Sequence, residues 1–283
     1  MTRYMRGMAN GGGIASREPL SDEMIRHHVP SVFAECAHES RSERFAYIPT
    51  SVVLAGLRKE GFQPFFAQQG RSRIEGKQNF TKHLLRLRHV SRANEQGEAH
   101  EIILVNAHDG TSSYQMISGV FRFVCANGLM AGDTFGEVKV GHRGDAVDQV
   151  IEGAYTVLDD ADEVMHTVAS MKALTVNQDE QRALARAAAV LRFDDPEKAP
   201  VAAESLLDAR RVADRSDDLW TSFNRIQENL VRGGQRGIAR DQQGRSRRVR
   251  VREIKGIDQK RQLNRALWTL AEGRLVSAVQ QPG

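Results

Sequence analysis

The chain has 283 residues, a formal net charge of +4 and a sequence pI near 9.2, with 40% hydrophobic and 27% charged residues. That length supports a well-buried core in one large or two small domains, and the composition excludes a disordered or fibrous chain. No apolar run approaches the ~20 residues of a membrane helix, and the two cysteines, Cys36 and Cys125, form no disulfide framework and fit a reducing cytoplasm.

The opening MTRYMRGMANGGG lacks the apolar segment of an export signal, and residues 1–22, polar and Gly-rich, read as a flexible arm. Ser31 to Cys36 after Pro30 reads as a short helical turn. Thr50 or Ser51 is the expected cap of a helix through Glu60, with Val52, Val53, Leu54 and Leu57 as its apolar side and Gly61 closing it. Phe62 to Gln69 reads as a strand, Gly70 to Gly76 as a basic turn, and Lys82 to Val90 as a strand with unlike faces. Leu85, Leu87 and His89 share one of those faces, Arg86 and Arg88 the other.

After the hairpin loop SRANEQGEA comes the centre of the pattern, residues 101–130. Ile103 and Val105 alternate with Ile102 and Leu104. Past the turn, Ile117, Phe121 and Phe123 alternate with Met116, Val120 and Arg122. Asp109-Gly110 is the strongest turn signal, and Asn127-Gly128 reads as a break. Apolar sets on both faces predict a sheet covered on each side for part of its length. Thr134 to Val140 is a further strand with Val138 and Val140 inward.

The period then changes. From Gly144 to Leu174, Val147, Val150, Ala154, Val157, Ala161, Val164, Val168 and Met171 recur every three or four residues, predicting one long helix that lies across its sheet or makes a subunit contact. Asp159, Asp160, Asp162 and Glu163 read as its solvated face. Asn177 with Glu180 opens a second helix to about Phe193. DDPEKAP reads as a linker, Ala202 to Asp214 holds a third helix or part of one, and Asp217 to Val231 a fourth, carrying Trp220, Phe223, Ile226 and Leu230. A last helix runs from about Asp258 to Leu275. The fold class expected is α+β: an antiparallel β-meander of four to five strands packed on a long helix, in a core over 23–175, followed by an α-helical region over 176–283 with a basic loop at 232–255.

Positive charge concentrates twice. Arg71, Arg73, Lys77, Lys82, Arg86, Arg88 and Arg92 face only Glu75, and Arg236, Arg240, Arg245, Arg247, Arg248, Arg250 and Arg252 lie among Gly and Gln with only Asp241 and Glu253 nearby. Such stretches suit phosphate contacts, since Arg offers two parallel donors to phosphate oxygens; the alternative is a solvated loop. Aromatic residues flank the first stretch as Phe65, Phe66 and Phe80 and are missing from the second, so backbone contact is better supported than base reading. His83, His108, Asp109 and His142 are the candidates for a metal-dependent or hydrolytic site, but no pair has the spacing of a known ligand set, and His108-Asp109 reads as a turn lock. No cofactor motif is found.

HESRSERFAYIPT, GFQPFFAQQGRSR, TKHLLRLRH, NAHDGTSSY, GVFRFVCANGL and VKVGHRGD, followed by IEGAYTVLD, LWTSFNRIQENLVRGGQRGIARD, GRSRRVRVREIKGIDQ and LNRALWTLAEG, resemble the plasmid- and phage-borne family catalogued as domain of unknown function 932. The resemblance covers nearly the whole chain after residue 25. It assigns no catalytic residue, and it implies handling of DNA that enters as a single strand. The element order is also similar in outline to Rad52-like single-strand annealing proteins. The function expected is a cytoplasmic, non-enzymatic, single-stranded DNA-binding protein of a mobile element, annealing strands or mediating recombination as a homo-oligomer, ring or filament. Alternatives are an anti-defence protein that blocks a host nuclease or restriction complex, and a metal-dependent nuclease.

Overall fold

The computed structural model describes residues 13–39, 47–92, 97–123, 127–130, 137–141, 145–193, 199–240 and 243–280. The chain divides into two compact units, residues 1–162 and 163–283, so the division falls before the 175/176 boundary expected from sequence. Among the described residues no helix is long and apolar enough to cross a membrane.

The first unit is α+β. Its sheet has seven strands among the described residues: β1 (Gly13–Ala15), β2 (Phe62–Gln69), β3 (His83–His89), β4 (Glu98–Asn106), β5 (Tyr114–Arg122), β6 (Asn127–Met130) and β7 (Glu137–Val140). Neighbours from β1 to β6 pair antiparallel in chain order. β6 and β7 lie end to end along β5, pairing with Gly119–Arg122 and Tyr114–Ile117 respectively. The meander is thus longer than the four to five strands expected. One addition is β1, inside the stretch expected to be an arm, where Leu20 is also buried. The other is β6, where Asn127-Gly128 continues the sheet instead of breaking it.

α1 (Asp22–His28), α2 (Thr50–Lys59) and α3 (Ala146–Asp159) complete this unit. Val53, Leu54 and Leu57 of α2 and Val150, Ala154 and Val157 of α3 join Phe62, Leu85, Leu87, Ile102, Leu104 and Met116 of the sheet in one core. The period-two alternation read from sequence is therefore real, with 85, 87, 102 and 104 facing the helices and 84, 86, 103 and 105 the other side. Val52 is half exposed instead of apolar-side core. α3 approaches the sheet closely at Gly153, where an added Cβ would lie 2.8 Å from Val138 Cγ1. Gly153→Val is expected to destabilise by about 1–3 kcal/mol through overpacking, seen as a lower urea midpoint, whereas a Gly153→Val protein with the wild-type midpoint would contradict this packing.

The long helix of the sequence reading is two. α3 ends at Asp159 and α4 (Ala161–Ala173) begins two residues later, although the seam stays buried from Val150 through Met171. Asp159, Asp160, Asp162 and Glu163 explain the break: carboxylates oppose the dipole at the end of one helix and favour it at the start of the next.

In the second unit, α5 (Gln178–Val190) has the expected capping box, with Asn177 Oδ1 accepting from Glu180 N at 3.0 Å and Glu180 Oε2 from Asn177 N at 2.7 Å. The expected third helix is instead two 3₁₀ turns, Ala203–Leu207 and Val212–Asp214. α6 (Leu219–Arg232) and α7 (Ile257–Gln280) bury Trp220, Phe223 and Trp268 in mutual ring contact. The basic segment expected to be a loop contains an antiparallel ribbon of β8 (Arg236–Arg240) and β9 (Ser246–Arg250).

Candidate nucleic-acid interface

Many of the residues singled out by sequence fall in three clusters. The first is on the side of the sheet away from α2 and α3. Arg86 and Arg88, two apart on β3, point the same way, and Glu101 reaches them from β4. Arg86 Nε lies 2.9 Å from Glu101 Oε2, and Arg88 donates to Glu101 Oε1 through Nε at 2.9 Å and NH2 at 2.8 Å. All three are interior: 7%, 4% and 1% exposed. β2 and β5 bring phenylalanines against both guanidinium planes. Arg86 lies 4.5 Å from the Phe66 ring centroid and 4.6 Å from that of Phe121. Arg88 lies 4.3 Å from Phe65, 4.8 Å from Phe121 and 4.9 Å from Phe123. On sequence grounds Arg86 and Arg88 are expected to contact phosphates. The structure instead fixes them between rings with a shared carboxylate, so their donors are not freely displayed to a phosphate chain. Phe121 and Phe123 went unnoticed as their neighbours, because only the strand register brings β2, β3 and β5 together.

Arg71 and Arg73 are exposed on the turn after β2. Lys82 is half-buried just before β3, and Lys77 is held 3.3 Å from Asp109. Asp109 Oδ1 also accepts from Thr111 N at 3.0 Å and Thr111 Oγ1 at 2.6 Å, and Gly110 takes φ +74°. Burial disfavours its charge, but the Thr111 and Lys77 donors win and keep its pKa below the ordinary value. This carboxylate locks the turn.

The second cluster is a buried polar knot. Thr50 caps nothing with its side chain; its hydroxyl turns inward, 2.9 Å from His83 Nε2, 3.1 Å from His108 Nε2 and 3.2 Å from Tyr114 OH, and accepts from Asn106 Nδ2 at 3.0 Å. Tyr114 OH donates in turn to Ile48 O at 2.9 Å. Burial, with His108 adding to it, pushes the His83 pKa down to about 3. Both histidines are therefore engaged by one hydroxyl. His142 lies outside the described residues, among which no group of three or more His, Cys, Asp or Glu is placed to hold a metal ion.

The third cluster is the ribbon. Gly233, at φ +60°, turns the chain out of α6 where a Cβ would lie 2.6 Å from Val251 O. Cross-strand partners share a face, so Arg236 with Arg250 and Ile238 with Arg248 present one front. All four are exposed, Ile238 at 59%. The back is pressed to the chain at Pro200: Ile238 N donates to Pro200 O at 2.8 Å, and a Cβ on Gly237 would collide with that oxygen at 1.8 Å. Arg245, Arg247 and Arg252 are exposed as well, while the side chain of Arg240 is outside the described set.

Residues 37–268 match the family described as Domain of unknown function (DUF932). The chain belongs to the DUF932 family. The DUF932 span contains the arginine–phenylalanine cluster, the polar knot and the ribbon alike. UPF0380 protein YafZ of Escherichia coli (strain K12) is 48% identical over 275 residues, 97% of this chain and 98% of its own length. UPF0380 protein YfjQ of the same strain is 47% identical over 272 residues, 96% and 97% of the two chains. No solved structure matches this DUF932 chain, and the outline shared with Rad52-like proteins is an expectation from sequence alone.

Proposed function

We propose that this protein binds nucleic acid by its phosphate backbone, with single-stranded DNA as the ligand, in the manner of an annealing or recombination-mediator protein that works as a homo-oligomer. The observation that supports it is the arginine front of the β8–β9 ribbon. Residues two apart on a strand sit about 6.7 Å from each other, and Arg236, Arg248 and Arg250 are exposed on one front, with Arg250 Nε donating to Gly234 O at 3.1 Å. Guanidinium groups so spaced match a chain of phosphates better than they match a single anion. Arg71 and Arg73 are a further exposed pair.

The test is fluorescence anisotropy of a labelled oligo(dT) over a salt series. Each phosphate contact on a single strand contributes roughly −0.7 to the slope of log K against log salt. Arg236→Ser, Arg248→Ser and Arg250→Ser together are expected to flatten that slope by about 2 and to weaken binding on the order of 100-fold at low salt. Binding unaltered by the triple substitution, or insensitive to salt, contradicts the proposal. Strand annealing is then read by energy transfer between complementary labelled strands.

A further inference from the structure

We infer that the phenylalanine ladder around Arg86 and Arg88 is a stacking platform for unpaired nucleobases, an inference that rests on the nucleic-acid reading above. Each guanidinium lies among rings: Arg86 against Phe66 and Phe121, and Arg88 against Phe121, Phe65 and Phe123. Glu101 fixes both guanidiniums from beneath, so the rings stand in set positions without a ligand. The ladder is not sealed. Phe66 and Phe121 are half-buried, and Phe123 is 37% exposed at the end of β5, where its N–H donates to Gly97 O at 2.9 Å and its ring meets Phe121 edge-on at 5.1 Å. The exposed Phe123 ring, held edge-on by Phe121 beside the Arg88 guanidinium, is the place where a further planar group stacks.

The class of ligand follows from the chemistry. A neutral planar heterocycle stacks on Phe and extends the ladder without burying a new charge, whereas a phosphate there meets rings and arginines already engaged by Glu101. Every base has a π-face, so the platform is tolerant of sequence, and it demands that the base be unpaired.

The experiment compares oligo(dT) with an abasic oligonucleotide of the same length and charge, by anisotropy with the full chain. The wild type is expected to bind oligo(dT) about tenfold tighter or more, since each stacked base contributes measurably. Phe123→Ala is expected to lose that preference while binding the abasic strand as before, and Phe123→Tyr to retain it. The ribbon variant weakens both ligands alike. Equal wild-type affinity for the two strands, with salt dependence intact, overturns the platform alone. So does a Phe123→Ala protein that weakens both equally. No binding to either strand overturns the platform and the phosphate reading together. The unfolding midpoint of Phe123→Ala is measured beside the titrations, and a preference lost at an unchanged midpoint separates stacking from folding.

Discussion

Glu101→Ala is expected to lower stability by roughly 3–5 kcal/mol, because it leaves two interior guanidiniums without the carboxylate they share. Their flat faces are covered by phenylalanines, and little water reaches the vacancy. Removing the three charges together is a different matter. Arg86→Met, Glu101→Leu and Arg88→Met in one chain are expected to fold far better than Glu101→Ala, since a buried ion group replaced by apolar residues of similar volume is often neutral. Urea unfolding of the two variants decides the matter. If the single substitution is mild, or the triple is the worse of the two, the cluster is not held together as described. The contrast bears on function too: a cluster that stability alone could replace with leucine and methionine fits a role in setting ring positions.

Acid is expected to remove about 4 kcal/mol between pH 7 and 5 through His83 and His100. Both are buried and hydrogen-bonded, His83 to Thr50 and His100 to Ser118 Oγ at 2.9 Å. Burial first, then His108 for one and Arg92 for the other, lowers their pKa values to about 3 and about 4. Below about 6.5 the unfolded chain takes up a proton at each that the folded chain refuses. Stability is therefore complete above that pH and declines as pH falls towards the folded values, by close to 1.4 kcal/mol per unit for each histidine. The lowered carboxylates, Asp109, Glu180 and Glu204, lose their contribution only further down, as pH drops through their depressed values. Denaturation midpoints at pH 7 and 5 check the sum, and His100→Gln should halve the difference; an undiminished difference in that variant rules out His100 as a contributor.

Alternation places β3 to β5 and their faces in the sequence itself, and Asn177-x-x-Glu180 places the start of α5. Those signals are local: a period or a cap lies within a few residues. What was not legible depends on distant partners. The heptad seam through α3 and α4 reports which side is buried and is silent on whether the backbone is continuous, so the break at Asp160 was hidden. The ribbon reads as a loop in sequence because the apolar alternation that betrays a strand is absent from it. Thr50 looked like a cap because Thr before an apolar run usually is one. Its partners are 33 to 64 residues further along the chain. The arginines of β3 were legible as a pair on one face; their phenylalanine neighbours on β5 needed the whole register.

The short β1 has a meaning of its own. It covers β2 at Phe66 to Gln68, and the chain beyond it continues the cover, with Ser16 N donating to Phe65 O at 3.0 Å and Leu20 N to Pro64 O at 2.7 Å. Gly13 sits so close that a Cβ would lie 2.6 Å from Ala67 O. These few residues are the guard on an otherwise open sheet edge, and an open edge is a template for another chain. Shortened forms beginning after Leu20 would carry β2 bare, and self-association of such forms would report an aggregating edge.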